Sequence, residues 1–227
     1  MASLNLGDPF PTFTVNSTIG TIDFHSWMGN SWAILFSHPA DYTPVCTTEL
    51  AAVAKLAPEF AKRNVKPIAL SCDTVASHNG WIEDIKAYGR LTATSGDSAF
   101  PFPIIDDSSR ELAVKLNMLD RDEIGSAGLP LTCRAVFVID AIKKLRLSIL
   151  YPATTGRNFG EILRAIDSLQ LTDKRKVATP ADWRQGEAVM VLPTITDDQL
   201  PTLFPAGVTS VPLPSGKGYL RRTECPE

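Results

Sequence analysis

The chain has 227 residues, of which 44% are hydrophobic and 21% charged, with a formal net charge of −3. That length suits one generous domain plus a small appendage, the composition is that of an ordinary globular protein, and a mildly acidic balance offers nucleic acid no electrostatic footprint. No apolar run approaches the ~20 residues that a bilayer span needs. The opening Met-Ala-Ser-Leu-Asn-Leu-Gly-Asp lacks the basic-then-apolar pattern of a signal peptide, so a cytoplasmic protein without a transmembrane segment is expected.

Phe10 to Phe24 alternate as a short hairpin turning at Thr18-Ile-Gly20. Trp32-Ala-Ile-Leu-Phe36 is continuously apolar, the mark of a strand covered on both faces. Thr43 precedes Pro44, which biases it away from helical backbone and makes it the expected N-cap, with Pro44 as the first helical residue. Leu50, Val53, Ala57 and Phe60 then repeat at helical spacing, and Pro58 is expected to kink or end that helix. Val65 to Cys72 reads as a second buried strand. Ser77 to Tyr88 follows as a helix with Trp81, Ile82, Ile85 and Tyr88 roughly on one side.

Farther on, Pro103 to Asp106 predicts a short strand, Ser109 to Leu116 a helix, Ala135–Ile139 and Leu145–Leu150 a strand pair, and Asn158 to Leu169 a helix. Strands alternating with helices and ending in a hairpin define an α/β sheet with at least one antiparallel edge. Beyond about residue 172 the chain becomes rich in proline, from Pro180 to Pro226. Ala188 to Leu192 predicts one strand there and Thr196 to Leu203 one short helix, while Trp183, Phe204 and Tyr219 provide buriable surface. A main domain over residues 1–170 and a small one over 171–227 are expected.

Cys46, Cys72, Cys133 and Cys225 lie far apart and form no CxxC pair. In a reducing compartment this argues against a disulfide framework. It also argues against zinc, for which only His25, His38 and His78 would supplement the thiols. No metal and no cofactor are expected. Cys46 stands apart, because a thiol in the first turn of a helix faces unpaired N–H groups and the positive end of the peptide dipoles. That setting favours a reactive thiolate over an inert packed sulfur. Cys72 and Cys133 read as structural, and Cys225 either as incidental or as a resolving partner.

The pattern Pro39-x3-Thr43-x2-Cys46 resembles the active-site signature of peroxiredoxins. Phe36-Ser-His-Pro39, Pro44 to Glu49, Leu147 to Arg157 and Val177 to Trp183 extend the resemblance along nearly the whole chain, the last two stretches specifically toward the 1-Cys, peroxiredoxin-6-type branch. The resemblance implies a thioredoxin-like α/β fold with a small C-terminal dimerisation domain. It implies reduction of hydrogen peroxide and organic hydroperoxides by attack of Cys46 on a peroxide oxygen. Lowering a thiol pKa raises the thiolate fraction, but nucleophilicity falls with it. The larger gain must therefore come from donors fixed where charge develops on the leaving oxygen. Thr43 and Arg134 match the family's donors, Glu49 stands where it would hold that guanidinium, Arg157 matches a second family arginine, Pro39 shields the thiolate and His38 is expected at the pocket mouth. Val177-Ala-Thr-Pro180 carries no cysteine where 2-Cys relatives place their resolving thiol. An external thiol reductant such as glutathione is therefore expected. A homodimer or higher oligomer is also implied, pairing through the edge strand Leu145–Leu150.

Two other readings come with the resemblance. Phospholipase A2 activity in this branch is attributed to a serine in Gly-Asp-Ser-Trp-Gly, a preceding histidine and a later aspartate. Here the element reads Gly29-Asn-Ser-Trp-Ala, keeping Ser31 and His25 but changing the flanks to Asn30 and Ala33. Ile142 occupies the aspartate position, with Asp140 two residues earlier. Loss of the orienting acid costs a triad orders of magnitude. A redox sensor or chaperone would oxidise without turnover.

Overall fold

The structure is a computed structural model, described over residues 4–91 and 100–226. Extended and helical segments alternate as the apolar spacing predicts: β1 (Thr14–Ser17), β2 (Gly20–Asp23), α1 (Phe24–Met28), β3 (Trp32–Ser37), α2 (Pro44–Lys55), α3 (Ala57–Lys62), β4 (Val65–Ser71), α4 (Val75–Gly89), β5 (Ile104–Asp106), α5 (Glu111–Lys115), β6 (Leu119–Ile124), β7 (Pro130–Thr132), β8 (Arg134–Ile139) and β9 (Leu145–Tyr151). They are followed by α6 (Phe159–Lys174), β10 (Val177–Ala178), β11 (Val189–Val191), a 3₁₀ turn (Asp197–Gln199), α7 (Leu200–Leu203), β12 (Thr209–Ser210) and β13 (Arg221–Thr223).

Seven strands form one mixed sheet in the order β2-β1-β5-β4-β3-β8-β9. β3 lies parallel to β4 and antiparallel to β8, and all its side chains are buried. Successive strand residues point to opposite faces. Ala33 and Leu35 therefore join a cluster with Phe10, Phe24, Ile68, Leu70 and Phe137, while Ile34 and Phe36 are buried on the other face. This two-sided cover is why the run reads as uninterrupted apolar sequence. β9 lies at one edge, antiparallel to β8, and the β1–β2 hairpin at the other.

Several boundaries differ from expectation for identifiable reasons. Thr43 has the extended backbone of an N-cap, but its hydroxyl donates to Ala40 O at 2.9 Å instead of capping the helix. Of the two outcomes expected at Pro58, the helix ends rather than kinks, just before the proline. α2 ends at Lys55, and Pro58 falls in the first turn of α3, where its missing N–H costs nothing. Tyr88 is exposed, because it falls about 70° from the centre of the buried stripe on α4 at ~100° per residue. The β6–β7 hairpin was not foreseen, since Leu119 to Ile124 is mostly charged and lacks period-two alternation.

The chain divides into two compact units, Met1–Phe159 and Gly160–Glu227. The second contains a four-stranded antiparallel sheet, β10-β11-β13-β12. Val177, Trp183, Val189, Val191, Ile195 and Phe204 form its apolar cluster, with Cys225 packed against them. Tyr219, expected to be buried there, is exposed.

Leu35 sits at zero exposure in β3, an interior strand of the sheet. Leu35→Ala is expected to cost about 2–5 kcal/mol, the range for emptying a packed leucine site, read as a lowered midpoint in urea.

Candidate active site

The site forms where β3 ends, α2 begins and β8 starts. The Ser37 hydroxyl donates to Cys133 O at 2.7 Å and accepts from Ala135 N at 3.0 Å. Thr132 Oγ1 donates to His38 O at 2.7 Å. These bonds bring Arg134, the first residue of β8, beside the segment leading into α2. Cys46 occupies the third position of α2, and Glu49, one turn later, faces the same side. The first helix amide to bond within the helix is that of Thr47, donating to Thr43 O. The Val45 and Cys46 amides belong to the unpaired leading set of any helix.

Four buried side chains meet there. Arg134 Nη1 lies 3.4 Å from Cys46 Sγ and 2.7 Å from Glu49 Oε2. The same guanidinium donates from Nε and Nη2 to Ala153 O, which fixes its plane. Arg157 donates from Nε to Glu49 Oε1 at 3.0 Å, from Nη2 to Oε2 at 2.7 Å and from its backbone N to Oε1 at 2.7 Å. Its Nη1 reaches Ala135 O, and its guanidinium carbon lies 5.6 Å from the ring centres of Phe36 and Phe159. Cys46 is fully buried, and Glu49, Arg134 and Arg157 are 3%, 2% and 8% exposed. Burial pushes the Glu49 carboxyl up, but the Arg157 bonds and the charges of both arginines outweigh it and hold the group below its ordinary value. Among the described residues two cations thus share one carboxylate beside the sulfur, leaving one positive charge without a second carboxylate.

A second buried cluster lies behind the same loop. Asp41 Oδ1 is 2.9 Å from His38 Nε2 and its Oδ2 is 2.7 Å from His78 Nδ1. Ser77 Oγ also donates to Oδ2, at 2.8 Å, and the Asp41 amide donates to Asp73 Oδ2. Burial pushes Asp41 up, and the two imidazole bonds outweigh it and hold the carboxyl far below the carboxylate range. Burial pushes His38 down. The three ligand-type atoms lie within 4.8 Å of one another. Their spacings are those of hydrogen bonds, and the carboxylate already fills the space between the rings. His38 was expected at the pocket mouth. Its ring is instead completely buried, packed on Trp81 at 5.2 Å, because Asp41 draws it inward.

The remaining candidates separate from this centre. Pro39 is buried and Thr43 half-buried beside the loop. Burial raises Cys72 and Cys133 to about 11, as suits packed structural thiols. Ser31 donates to Asn64 Oδ1 at 2.8 Å, His25 Nε2 bonds Phe10 O, and Asp140 accepts from the amides of Ile142 and Lys144 and from Arg146. Ile142 is exposed. With each partner committed elsewhere, these residues form no Ser-His-Asp relay in the arrangement present. The Ala153 carbonyl, which orients Arg134, escaped the sequence reading, since a backbone acceptor leaves no residue signature.

A cysteine at the head of a helix, backed by a buried arginine from the next sheet strand, places the fold and site in the thiol-peroxidase class. The AhpC/TSA family pattern matches residues 6–148, and that of the C-terminal domain of 1-Cys peroxiredoxin matches residues 168–202. Peroxiredoxin-6 of Gallus gallus is 60% identical over 230 residues, covering 100% of both chains, and peroxiredoxin-6 of Homo sapiens is 60% identical over 223 residues, covering 98% of both. Among solved structures, the peroxiredoxin 6 of Arenicola marina, carrying a cysteine-to-serine substitution, superposes with a TM-score of 0.94 at 58% identity over 99% of this chain and 100% of that one. A yeast mitochondrial 1-Cys peroxiredoxin, studied for thiol resolution through the glutathione and thioredoxin systems, gives 0.86 at 44% identity over 97% and 99%. The chain belongs to the AhpC/TSA family as a peroxiredoxin of the 1-Cys, peroxiredoxin-6 type, with the thioredoxin-like fold. It is a thiol-dependent peroxidase, an oxidoreductase.

Glu49→Gln removes the anion shared by two buried guanidiniums. It is expected to cost about 3–5 kcal/mol, as for breaking a buried ion pair, measured by denaturant unfolding of the reduced protein. A carboxyl held below its unfolded value stabilises fully above that value, ~4.3 for glutamate, and loses the contribution as pH falls through the native one. The thermal midpoint of the wild type should therefore drop on acidification below about pH 4 more steeply than that of Glu49→Gln.

Proposed function

We propose that Cys46 is the peroxidatic nucleophile and that Arg134 and Thr43 are the groups that hold the peroxide against it. The observation that carries this reading is the 3.4 Å approach of Arg134 Nη1 to Cys46 Sγ while the same nitrogen is anchored by Glu49 at 2.7 Å. The Cys46 thiolate attacks the terminal oxygen of ROOH. The S–O bond forms as the O–O bond breaks, giving Cys46–SOH and RO⁻, which takes a proton to leave as water or alcohol. Negative charge moves from sulfur to the leaving oxygen. The excess cation and the unpaired Val45 and Cys46 amides stabilise it at both ends of that path, without reorganisation during the step.

Thr43 supplies orientation. The sequence suggests a donor here, but the hydroxyl proton of Thr43 goes to Ala40 O, so its oxygen instead presents lone pairs. These accept the O–H of the attacked peroxide oxygen and aim its σ* axis at the sulfur. Glu49 is a positioning residue for both arginines, and Pro39 walls the thiol from water. Arg157 locks Glu49.

An external thiol such as glutathione returns the sulfenic acid to thiol in the reducing cytoplasm. The absence of cysteine from Val177-Ala-Thr-Pro180 and the raised Cys72 and Cys133 support this. So does the yeast 1-Cys relative studied with glutathione and thioredoxin systems. The exposed Leu150 and Tyr151 on edge strand β9 support a homodimer paired through that edge, with residues 171–227 as the dimerisation domain.

Steady-state peroxide consumption with glutathione or dithiothreitol, together with trapping of the sulfenic acid by a diketone probe, tests the reading. Cys46→Ser should abolish both signals; turnover equal to wild type in that variant refutes it. Arg134→Lys should lower the second-order rate of Cys46 oxidation about 10²–10³-fold, the scale for losing one preorganised donor. A lysine ammonium lacks the planar fork that reaches Ala153 O, Glu49 and the sulfur together.

A further inference from the structure

The Asp41 cluster takes no part in the chemistry above, yet it grips the loop that carries Pro39 and Thr43 from several directions at once. α4 supplies most of the grip. Ser77 Oγ and His78 Nδ1 bond Asp41 Oδ2, and Trp81 Nε1 donates to Thr47 Oγ1 on α2, whose own proton goes to Thr43 O. Gly80 leaves room for Tyr42, since a Cβ there would stand 2.6 Å from the Tyr42 hydroxyl oxygen. Tyr42 itself has a φ of 54°, a left-handed conformation that a tyrosine adopts only when its surroundings hold it. Thr43 is the next residue.

The proton inventory of the cluster is defined by its acceptors. His78 Nε2 lies 3.0 Å from Ile105 O, an atom that only accepts, so this nitrogen carries hydrogen. His78 Nδ1 and Asp41 Oδ2, at 2.7 Å, share another. The pair therefore holds two protons and, as one carboxyl and one imidazole, is neutral as a unit. His38 contributes one N–H through Nε2, and its Nδ1 has no partner. The charged or titratable groups around the cluster come from three directions: Asp41 and His38 from the segment after β3, Asp73 from the segment after β4, where it accepts from the Asp41 amide, and Asp106 from β5.

We propose that Asp41 and His78 are positioning residues for peroxide reduction, forming a proton-keyed latch that fixes the Pro39–Thr43 loop so that Thr43 meets the peroxide at Cys46. The proposal rests on Cys46 being the nucleophile. While the pair keeps both protons, the loop is bonded to α4 and α4 to β5. When it loses one, His78 has a single N–H for two acceptors, one bond opens, and the loop loosens. Peroxide then meets a misplaced Thr43, and displacements on the ångström scale cost rate steeply.

The test follows single-turnover oxidation of Cys46 by hydrogen peroxide through Trp81 fluorescence, across neutral to alkaline pH, with Cys46→Ser as control. His78→Ala is expected to slow oxidation at least tenfold at pH 7. Wild type is expected to pass through a rate maximum and decline on the alkaline side. Asp41→Asn accepts from His38 through its amide oxygen and donates to a neutral His78 through its amide nitrogen. It keeps the geometry without the ionisation, and its profile, normalised to its own maximum, should lose the alkaline decline. A merely structural role for Asp41 leaves that decline in place. An His78→Ala rate within twofold of wild type, or an Asp41→Asn profile that retains the wild-type decline, overturns the latch. Should His78→Ala fail to fold, the comparison of the two pH profiles decides by itself. A wild type indistinguishable from Cys46→Ser would instead refute the assignment of the nucleophile.

Discussion

The arrangement depends on a buried charge imbalance. Glu49 sits between Arg134 and Arg157 with all three nearly sealed from solvent, so two guanidiniums share one carboxylate and a net positive charge is left facing Cys46. Desolvating ions costs several kcal/mol each unless geometry and hydrogen bonds compensate. Here compensation comes from the bidentate Arg157 pair and from the Ala153 and Ala135 carbonyls. Among the described residues the last unit of charge has no carboxylate partner. In the mechanism proposed above it faces whichever oxygen or sulfur carries negative charge, so an imbalance of the fold stabilises the transition state.

The sheet converts sequence distance into that proximity. Arg134 is 88 positions from Cys46, and Arg157 is 108 from Glu49. β3 and β8 are antiparallel neighbours, so the end of one strand meets the start of the other, and Ser37 bonds both sides of Arg134 to hold them together. The loop after β9 then returns to deliver the Ala153 carbonyl and Arg157. The helix carrying Cys46, the cation and the carbonyl clamp are thus brought together by hydrogen-bonded backbone.

Features whose cause is local could be read from the sequence. Trp32–Phe36 announced a strand covered on both faces, Thr43-Pro44 announced a helix start, and Cys46 and Glu49 fell one turn apart on it. Features whose cause is tertiary could not. The Thr43 hydroxyl donates to Ala40 O, a bond set by the fold of the preceding loop. His38 went inward because Asp41 and Trp81 await it there, a partnership that needs α4 folded against the loop. The β6–β7 hairpin stayed hidden since its strands are charged and exposed, so no apolar period marks them. Asp41 carried no signal of its own, being one polar residue within a short loop.

Cys46 has no solvent-accessible surface in this arrangement. Under the assignment proposed above, access therefore governs both half-reactions, because a peroxide and then a bulkier thiol must each find the sulfur through movement of the segments that cover it. A sulfenic acid that waits for its thiol is open to a second peroxide, and so to irreversible sulfinic acid. On that reading the mobility of the cover sets how long the enzyme survives oxidant load.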